Sequence, residues 1–204
     1  MQQPNIGIPG YRLHEYLLVL NPHQDLSERI MKVKEQFSKD YQTAVAKSTK
    51  PHITLVNFVN WSMMEERILH RLQLISMGIT PFKVELRDFG SFPTHSIFIN
   101  VVSKLPIQGL VKNLKAAHQL LKLNNDNKPH FITEPHLTIC RKLKPWQYEK
   151  GWLEYSHRHF NGRFIADNML LLKRPAGQKS AFQIARRFEF QNLPVTTRQG
   201  DLFM

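Results

Sequence analysis

Cysteine is almost missing from this chain: Cys140 stands alone among 204 residues. One thiol excludes an intrachain disulfide and suits a reducing compartment. It has no spacing that marks a protease, so it reads as a small buried side chain. Glycine is sparse as well, with 9 residues. None builds a Gly-rich phosphate loop or a nucleophile elbow, which excludes the corresponding nucleotide and hydrolase chemistries. No apolar run approaches the ~20 residues of a membrane span. Residues 1–10 are polar with Pro and Gly and lack the apolar centre of a signal peptide. The expectation is a soluble cytoplasmic protein with no membrane partner. Acidic residues are scarce too, 16 against 28 Lys and Arg. Residues 1–102 carry 11 Lys and Arg against 9 Asp and Glu, whereas residues 103–204 carry 17 against 7. A basic second half favours a polyanion, with RNA the obvious candidate, although no RNA-recognition, KH or zinc-knuckle signature is present.

What is present is a phrase that occurs twice. Pro51-His52-Ile53-Thr54-Leu55 and Pro135-His136-Leu137-Thr138-Ile139 share the pattern Pro-His-apolar-Thr-apolar, 84 positions apart. A single His-x-Thr is noise in a chain with 10 histidines. Two copies in matching contexts, one per half, suggest two similar lobes that each bring a histidine to one cleft. Each copy alternates and is rich in β-branched residues, so it reads as a strand that a proline opens. Alternation puts His52 and Thr54 on one face and Ile53 and Leu55 on the other; His136 and Thr138 are set against Leu137 and Ile139 likewise.

Imidazole titrates near neutral pH, so one ring can act as base while the other acts as acid. Two histidines flanking a phosphodiester can activate a nucleophile and protonate the leaving oxygen. Each threonine hydroxyl can donate to a non-bridging oxygen. The arrangement requires no metal and no cofactor. His130, His157 and His159 lack the further fixed ligands of a metal site.

The paired motifs resemble those of the two-histidine (2H) phosphoesterase superfamily, which includes 2′-5′ RNA ligase-like proteins and cyclic-nucleotide phosphodiesterases. His136-Leu137-Thr138-Ile139-Cys140-Arg141 reproduces the extended His-x-Thr-x-x-Arg form of the RNA ligase-like branch. The first copy departs from the branch after its threonine, with Val56-Asn57-Phe58 where a basic residue and a glycine are common. Arg174 stands where a serine is frequent. The resemblance spans roughly residues 12 to 190. It implies catalytic roles for His52 and His136 and substrate contacts for Thr54, Thr138 and Arg141. It implies a metal-independent enzyme for RNA or nucleotides that carry a 2′,3′-cyclic phosphate or a 2′-5′ linkage, with 2′-5′ ligation as the reverse reaction. The alternative is a nucleotide- or RNA-binding domain of the same fold with little turnover. Strict alternation sets Arg141 on the face opposite His136, so a twist or the strand end must bring it round. It sets Cys140 on the face of Thr138.

The remaining pattern is α+β. Leu13 to Leu20 reads as a strand. Asn21-Pro22 offers a helix start, with Leu26, Ile30, Val33 and Phe37 at helical spacing. Motif strands cover about 51–58 and 134–140. Ser62-Met63-Met64-Glu65 is a capping-box pattern before a helix carrying Met64, Ile68, Leu72 and Ile75. Strands 82–89 and 96–102 form a hairpin. A helix from Pro106 presents Ile107, Leu110, Leu114, Ala117 and Leu121. A further helix within 144–159 carries Trp146, Trp152 and Tyr155, before closing strands 164–173 and 182–190. The order repeats approximately, and mixed short strands with flanking helices imply largely antiparallel sheets. The expectation is one bilobal unit over residues 1–204, with 1–10 and 191–204 as terminal extensions. The resemblance implies two pseudo-symmetric lobes, each a small, mostly antiparallel sheet with outer helices, facing across a central cleft and exchanging elements. Phe89, Phe92 and His95 in the hairpin are candidates to stack on a base, although Phe89 is better read as core. Lys142 and Lys144, just past the second motif, are candidates to contact further phosphates.

Overall fold

The computed structural model describes residues 10–43 and 50–193; most of both expected terminal extensions lies outside them. Nine strands form one sheet in which every neighbouring pair is antiparallel: β1 (Leu13–Leu20), β2 (Ile53–Trp61), β3 (Phe82–Phe92), β4 (Ser96–Val101), β5 (His130–Phe131), β6 (His136–Arg141), β7 (Asn161–Ala166), β8 (Asn168–Pro175) and β9 (Gln183–Glu189). The spatial order is β7-β3-β4-β6-β2-β1-β8-β9, and β5 pairs with β2 off that path. The motif strands β6 and β2 are therefore central neighbours. They meet through one residue pair, Ile53 opposite Leu137, both fully buried. A four-stranded half and a half of four strands plus the short β5 are joined at that point, so the two expected sheets are one sheet with a narrow waist.

The helices are α1 (Gln24–Tyr41), α2 (Glu65–Met77), α3 (Lys104–Leu114), α4 (His118–Leu121) and α5 (Pro145–Tyr155). Helices α1 and α5 cover the β7-β3-β4-β6 half, and α2, α3 and α4 cover the other. Element exchange is regular. The helix after β1 crosses to the half that holds β6, and the helices after β4 cross to the half that holds β2. Apolar stripes drive these contacts. Leu26, Ile30 and Phe37 of α1, and Ile68 and Leu72 of α2, are buried. Each such side chain contributes roughly 1.5–3 kcal/mol on leaving water. Tyr155 closes the α1–α5 interface against Phe37 at 5.1 Å and Phe89 at 4.9 Å between ring centroids, and burial pushes its phenol up to about 12.

Several boundaries differ from the pattern-based expectation. Helix α1 starts after His23, whose Nδ1 accepts from the Leu26 amide, and not at Asn21-Pro22. The Ser62 capping box does not form: residues 62–64 make a 3₁₀ turn, and the turn binds the preceding chain instead through Ser62 N–H to the Arg12 carbonyl. The expected strand 164–173 is two strands, β7 and β8, in opposite halves of the sheet. The chain changes halves at Asp167. The break falls at the polar pair Asp167-Asn168 between two pieces that are both strand-like.

Candidate active site

The waist sets the register of the two motifs. Ile53 lies opposite Leu137 in an antiparallel pair. Extended one residue each way, that register puts His52 across from Thr138 and Thr54 across from His136, all four on one face. Ile53 and Leu137 point to the core. The four side chains are half-buried. A local two-fold relation thus runs through the Ile53–Leu137 pair, and the polar face on either side of it is the cleft floor.

Each histidine is fixed in the same way. His52 Nδ1 lies 2.8 Å from the Lys50 carbonyl, and His136 Nδ1 lies 2.8 Å from the Glu134 carbonyl. A carbonyl only accepts, so Nδ1 carries the proton in both rings and Nε2 is the nitrogen left for chemistry. The matching i−2 partner shows that the duplication extends to the loop preceding each strand.

A second symmetric device lies just past each threonine. The β1–β2 register shifts between Leu18 and Val19 and leaves Leu55 unpaired. The β4–β6 register shifts between Ile97 and Phe98 and leaves Ile139 unpaired. Both are β-bulges at the residue after the motif threonine, and an unpaired residue reverses the alternation beyond it. Arg141 therefore pairs with Ser96 on the face of Phe98 and Asn100, which are the partners of Thr138 and His136. The bulge is what brings Arg141 round to the cleft. For the same reason Cys140 does not share the face of Thr138. It pairs with buried Ile97, is 2 % exposed, and burial raises its thiol pKa. In the first motif the bulge sets Asn57, opposite Leu17, at the position that matches Arg141.

The two histidines have different surroundings. Burial lowers the pKa of His52, and the charges of Lys34, Arg141 and His136 lower it further, against the opposing Lys50 hydrogen bond. Lys34 belongs to α1, is 3 % exposed, and burial lowers its ammonium to about 8. His136 packs against two rings, Phe92 at 5.0 Å and Phe98 at 4.9 Å between centroids. Gly90 makes room for this arrangement: a Cβ there would lie 2.5 Å from the Phe98 ring and 2.4 Å from Asn100 Oδ1. Phe92 is 41 % exposed at the rim, whereas Phe89 is core. His95 is exposed in the turn that follows. Arg174 faces the cleft but pairs with Glu15 at 2.5 Å and stacks on Phe182. No group of three or more His, Cys, Asp or Glu that could hold a metal ion occurs among the described residues, and no helix among them is long and apolar enough to cross a membrane.

Asn57, Lys34, Asn100 and Phe98 escaped the sequence reading. Lys34 left a trace: with Leu26, Ile30 and Phe37 it falls on the apolar stripe of α1, where a solvated lysine has no place.

The profile of the 2′-5′ RNA ligase superfamily matches residues 22–178. The chain belongs to this superfamily. Its fold is that of TT0787 from Thermus thermophilus, with a TM-score of 0.62 and 15% identity over 87% of this chain and 98% of that one. E. coli LigT in apo form matches with a TM-score of 0.62 and 15% identity over 87% and 98% of the two chains. LigT complexed with 3′-AMP matches at 0.59, with 13% identity over 88% and 98%. TT0787 and LigT belong to the 2H phosphoesterases. Comparison with curated protein sequences finds no match. The chain is therefore 2H phosphoesterase-like in family and in fold.

Proposed function

We propose that the cleft hydrolyses 2′,3′-cyclic phosphates or 2′-5′ phosphodiesters of RNA or nucleotides by acid–base chemistry between His52 and His136. The observation that carries this reading is the matched pair of Nδ1 hydrogen bonds, which leaves one free Nε2 on each side of the local two-fold. In the forward direction His52 Nε2 takes a proton from water as its oxygen bonds to phosphorus. His136, as imidazolium, gives its Nε2 proton to the departing ribose oxygen as the P–O bond breaks. His52 suits the base role because burial and neighbouring cations keep its ring neutral at pH 7. Thr54, Thr138 and Arg141 would hold the non-bridging oxygens, where charge develops. The same step with a 5′-hydroxyl in place of water as nucleophile joins it to the cyclic phosphate in a 2′-5′ linkage, and water at high concentration makes hydrolysis dominate. Relatives of this fold crystallised with ATP, 3′-AMP and NADP+ support a nucleotide as ligand.

The test is turnover of 2′,3′-cyclic mononucleotides and 2′-5′ dinucleotides with chelator present, with the product isomer identified. His52→Ala and His136→Ala should each lower kcat by roughly 10²–10⁴-fold, and Thr54→Ala and Thr138→Ala by less. Full activity in either histidine variant would contradict paired acid–base catalysis.

A further inference from the structure

Beyond the two motifs, the same sheet face carries an uneven distribution of charge. The registers align His136 with Asn100, Asn100 with Arg87, and Arg87 with Asn161 across four successive strands. Neighbouring strands lie about 4.8 Å apart, so Arg87 starts two strands, about 10 Å, from His136. At the β7 edge the row borders a groove of about 650 Å³ that wraps towards α1, lined by Arg87, Asn161 and Arg163 and, on the α1-covered side, by Leu26, Arg29 and Leu86 among others. Glu85 is the one carboxylate among its lining residues. It already pairs with Lys83 at 2.5 Å, and that contact, with Arg87 and Arg163 nearby, holds its carboxyl below the usual range. Arg29 is fixed in the groove wall by a 2.9 Å bond to the Asn161 carbonyl and a stack on Phe160. Among the described residues, the guanidinium groups of Arg87 and Arg163 make no hydrogen bond or ion pair with the protein.

The other half contrasts with this. Its cleft face presents Leu17, Leu170 and Leu172, and Val19 in the same row is buried. The arginines on that face are neutralised, Arg174 by Glu15 at 2.5 Å and Arg187 by Glu189 at 2.6 Å. Among the described residues, a polyanion leaving the catalytic pair over β4, β3 and β7 thus meets guanidinium groups that no carboxylate holds, whereas the arginines facing it on β8 and β9 are paired.

We propose that the Arg87–Arg163 groove is a second anion subsite, which holds the phosphodiester 5′ of the reacting end of a single-stranded RNA. The proposal rests on the phosphodiesterase reading above and narrows it: the substrate is an oligonucleotide whose chain runs over β4, β3 and β7. A 2′,3′-cyclic phosphate is a 3′ terminus, so its neighbours lie on the 5′ side alone, and one exit path suffices.

The experiment compares a cyclic mononucleotide with a short single-stranded RNA that ends in a 2′,3′-cyclic phosphate. Wild type, R87A/R163A and the β9 control R186A/R187A are assayed, after thermal melts show that each folds. R87A/R163A should lose about ten-fold in kcat/KM on the oligonucleotide and nothing on the mononucleotide. Its salt slope on the oligonucleotide should fall by about 0.7, since the subsite holds one phosphodiester and each neutralised single-strand phosphate contributes ~0.7. Equal losses on both substrates, no loss on the oligonucleotide, or the same loss in the β9 control would overturn the subsite. If wild type turns over neither substrate, the phosphodiesterase reading fails by itself. The subsite is then judged by fluorescence anisotropy with the same RNA, labelled at its 5′ end. Weaker, less salt-dependent binding by R87A/R163A supports it, and binding equal to wild type removes it.

Discussion

A buried lysine beside a catalytic-type histidine makes two pH dependences separable at the level of single residues. Lys34 titrates at about 8 in the folded chain against 10.5 for the ordinary side chain. The native state therefore releases its proton first, and unfolding takes one up between those values. Stability carried by this group rises with pH across that window and is lowest below pH 8, where the buried ammonium is charged. Relative to Lys34→Met, wild type should gain up to about 3 kcal/mol between pH 8 and 10.5, because each pH unit between the two values is worth ~1.4 kcal/mol. Urea unfolding of both proteins at about pH 7.5, 9 and 10.5 checks this, and parallel curves would refute it. His52 is also lowered, from 6.5. A neutral ring buried in the folded state loses stability as pH falls below 6.5, and the acid limb of kcat/KM should have its midpoint below that value. In Lys34→Met, which removes one of the cations, the midpoint should move upward.

At the scale of elements, the two bulges decide which side chains reach the cleft. The His-x-Thr alternation was legible because period-2 patterning is local. The reversal after Leu55 and Ile139 was not, because a bulge is a property of pairing with β1 and β4 and leaves no mark in the strand's own residues. That is why the extended motif could name Arg141 while simple alternation turned it away, and why Cys140 was set on the wrong face. The hairpin β3–β4 offers a direct test. In Gly90→Ala the new methyl would meet the Phe98 ring and the Asn100 amide, so Phe98 must leave its place against His136. Turnover should fall about ten-fold while the melting temperature drops by only a few degrees, in line with an overpacking cost of roughly 1–3 kcal/mol. A Gly90→Ala protein with unchanged kcat would show that the aromatic packing of His136 has no catalytic consequence.

For the molecule as a whole, the waist between the halves is the place where folding and site assembly are the same event. Ile53 and Leu137 are each fully buried and face one another across the only described pairing of β2 with β6. Ile53→Ala and Leu137→Ala should each cost about 2–5 kcal/mol. The double variant should cost less than their sum, because the two side chains share one contact. Strict additivity in denaturant titrations would mean that the halves are held together elsewhere. Charge also acts at this scale. Lys142 and Lys144 lie beyond Arg141, towards the Ser96 end of β4, away from the Asn100–Arg87 row. Their reversal should weaken oligonucleotide binding less than R87A/R163A does.

Two kinds of information separate here. The sequence by itself determined the amphipathic stripes, the strand character of both motifs, the residues able to move a proton, and through the duplicated phrase a two-part α+β plan. Each of these depends on neighbours a few positions apart or on direct repetition. Tertiary structure alone decided that the two sheets join through Ile53 and Leu137, that the stretch 164–173 is divided between opposite halves of the sheet, and that Arg141 and Asn57 occupy matching places. It also decided where the positive charge gathers. Composition put the excess in residues 103–204, yet the basic groove joins Arg29 and Arg87 from the first half to Arg163 from the second. Strand pairing brings together residues far apart in sequence, and the register that places them is fixed by contacts between strands that no single segment encodes.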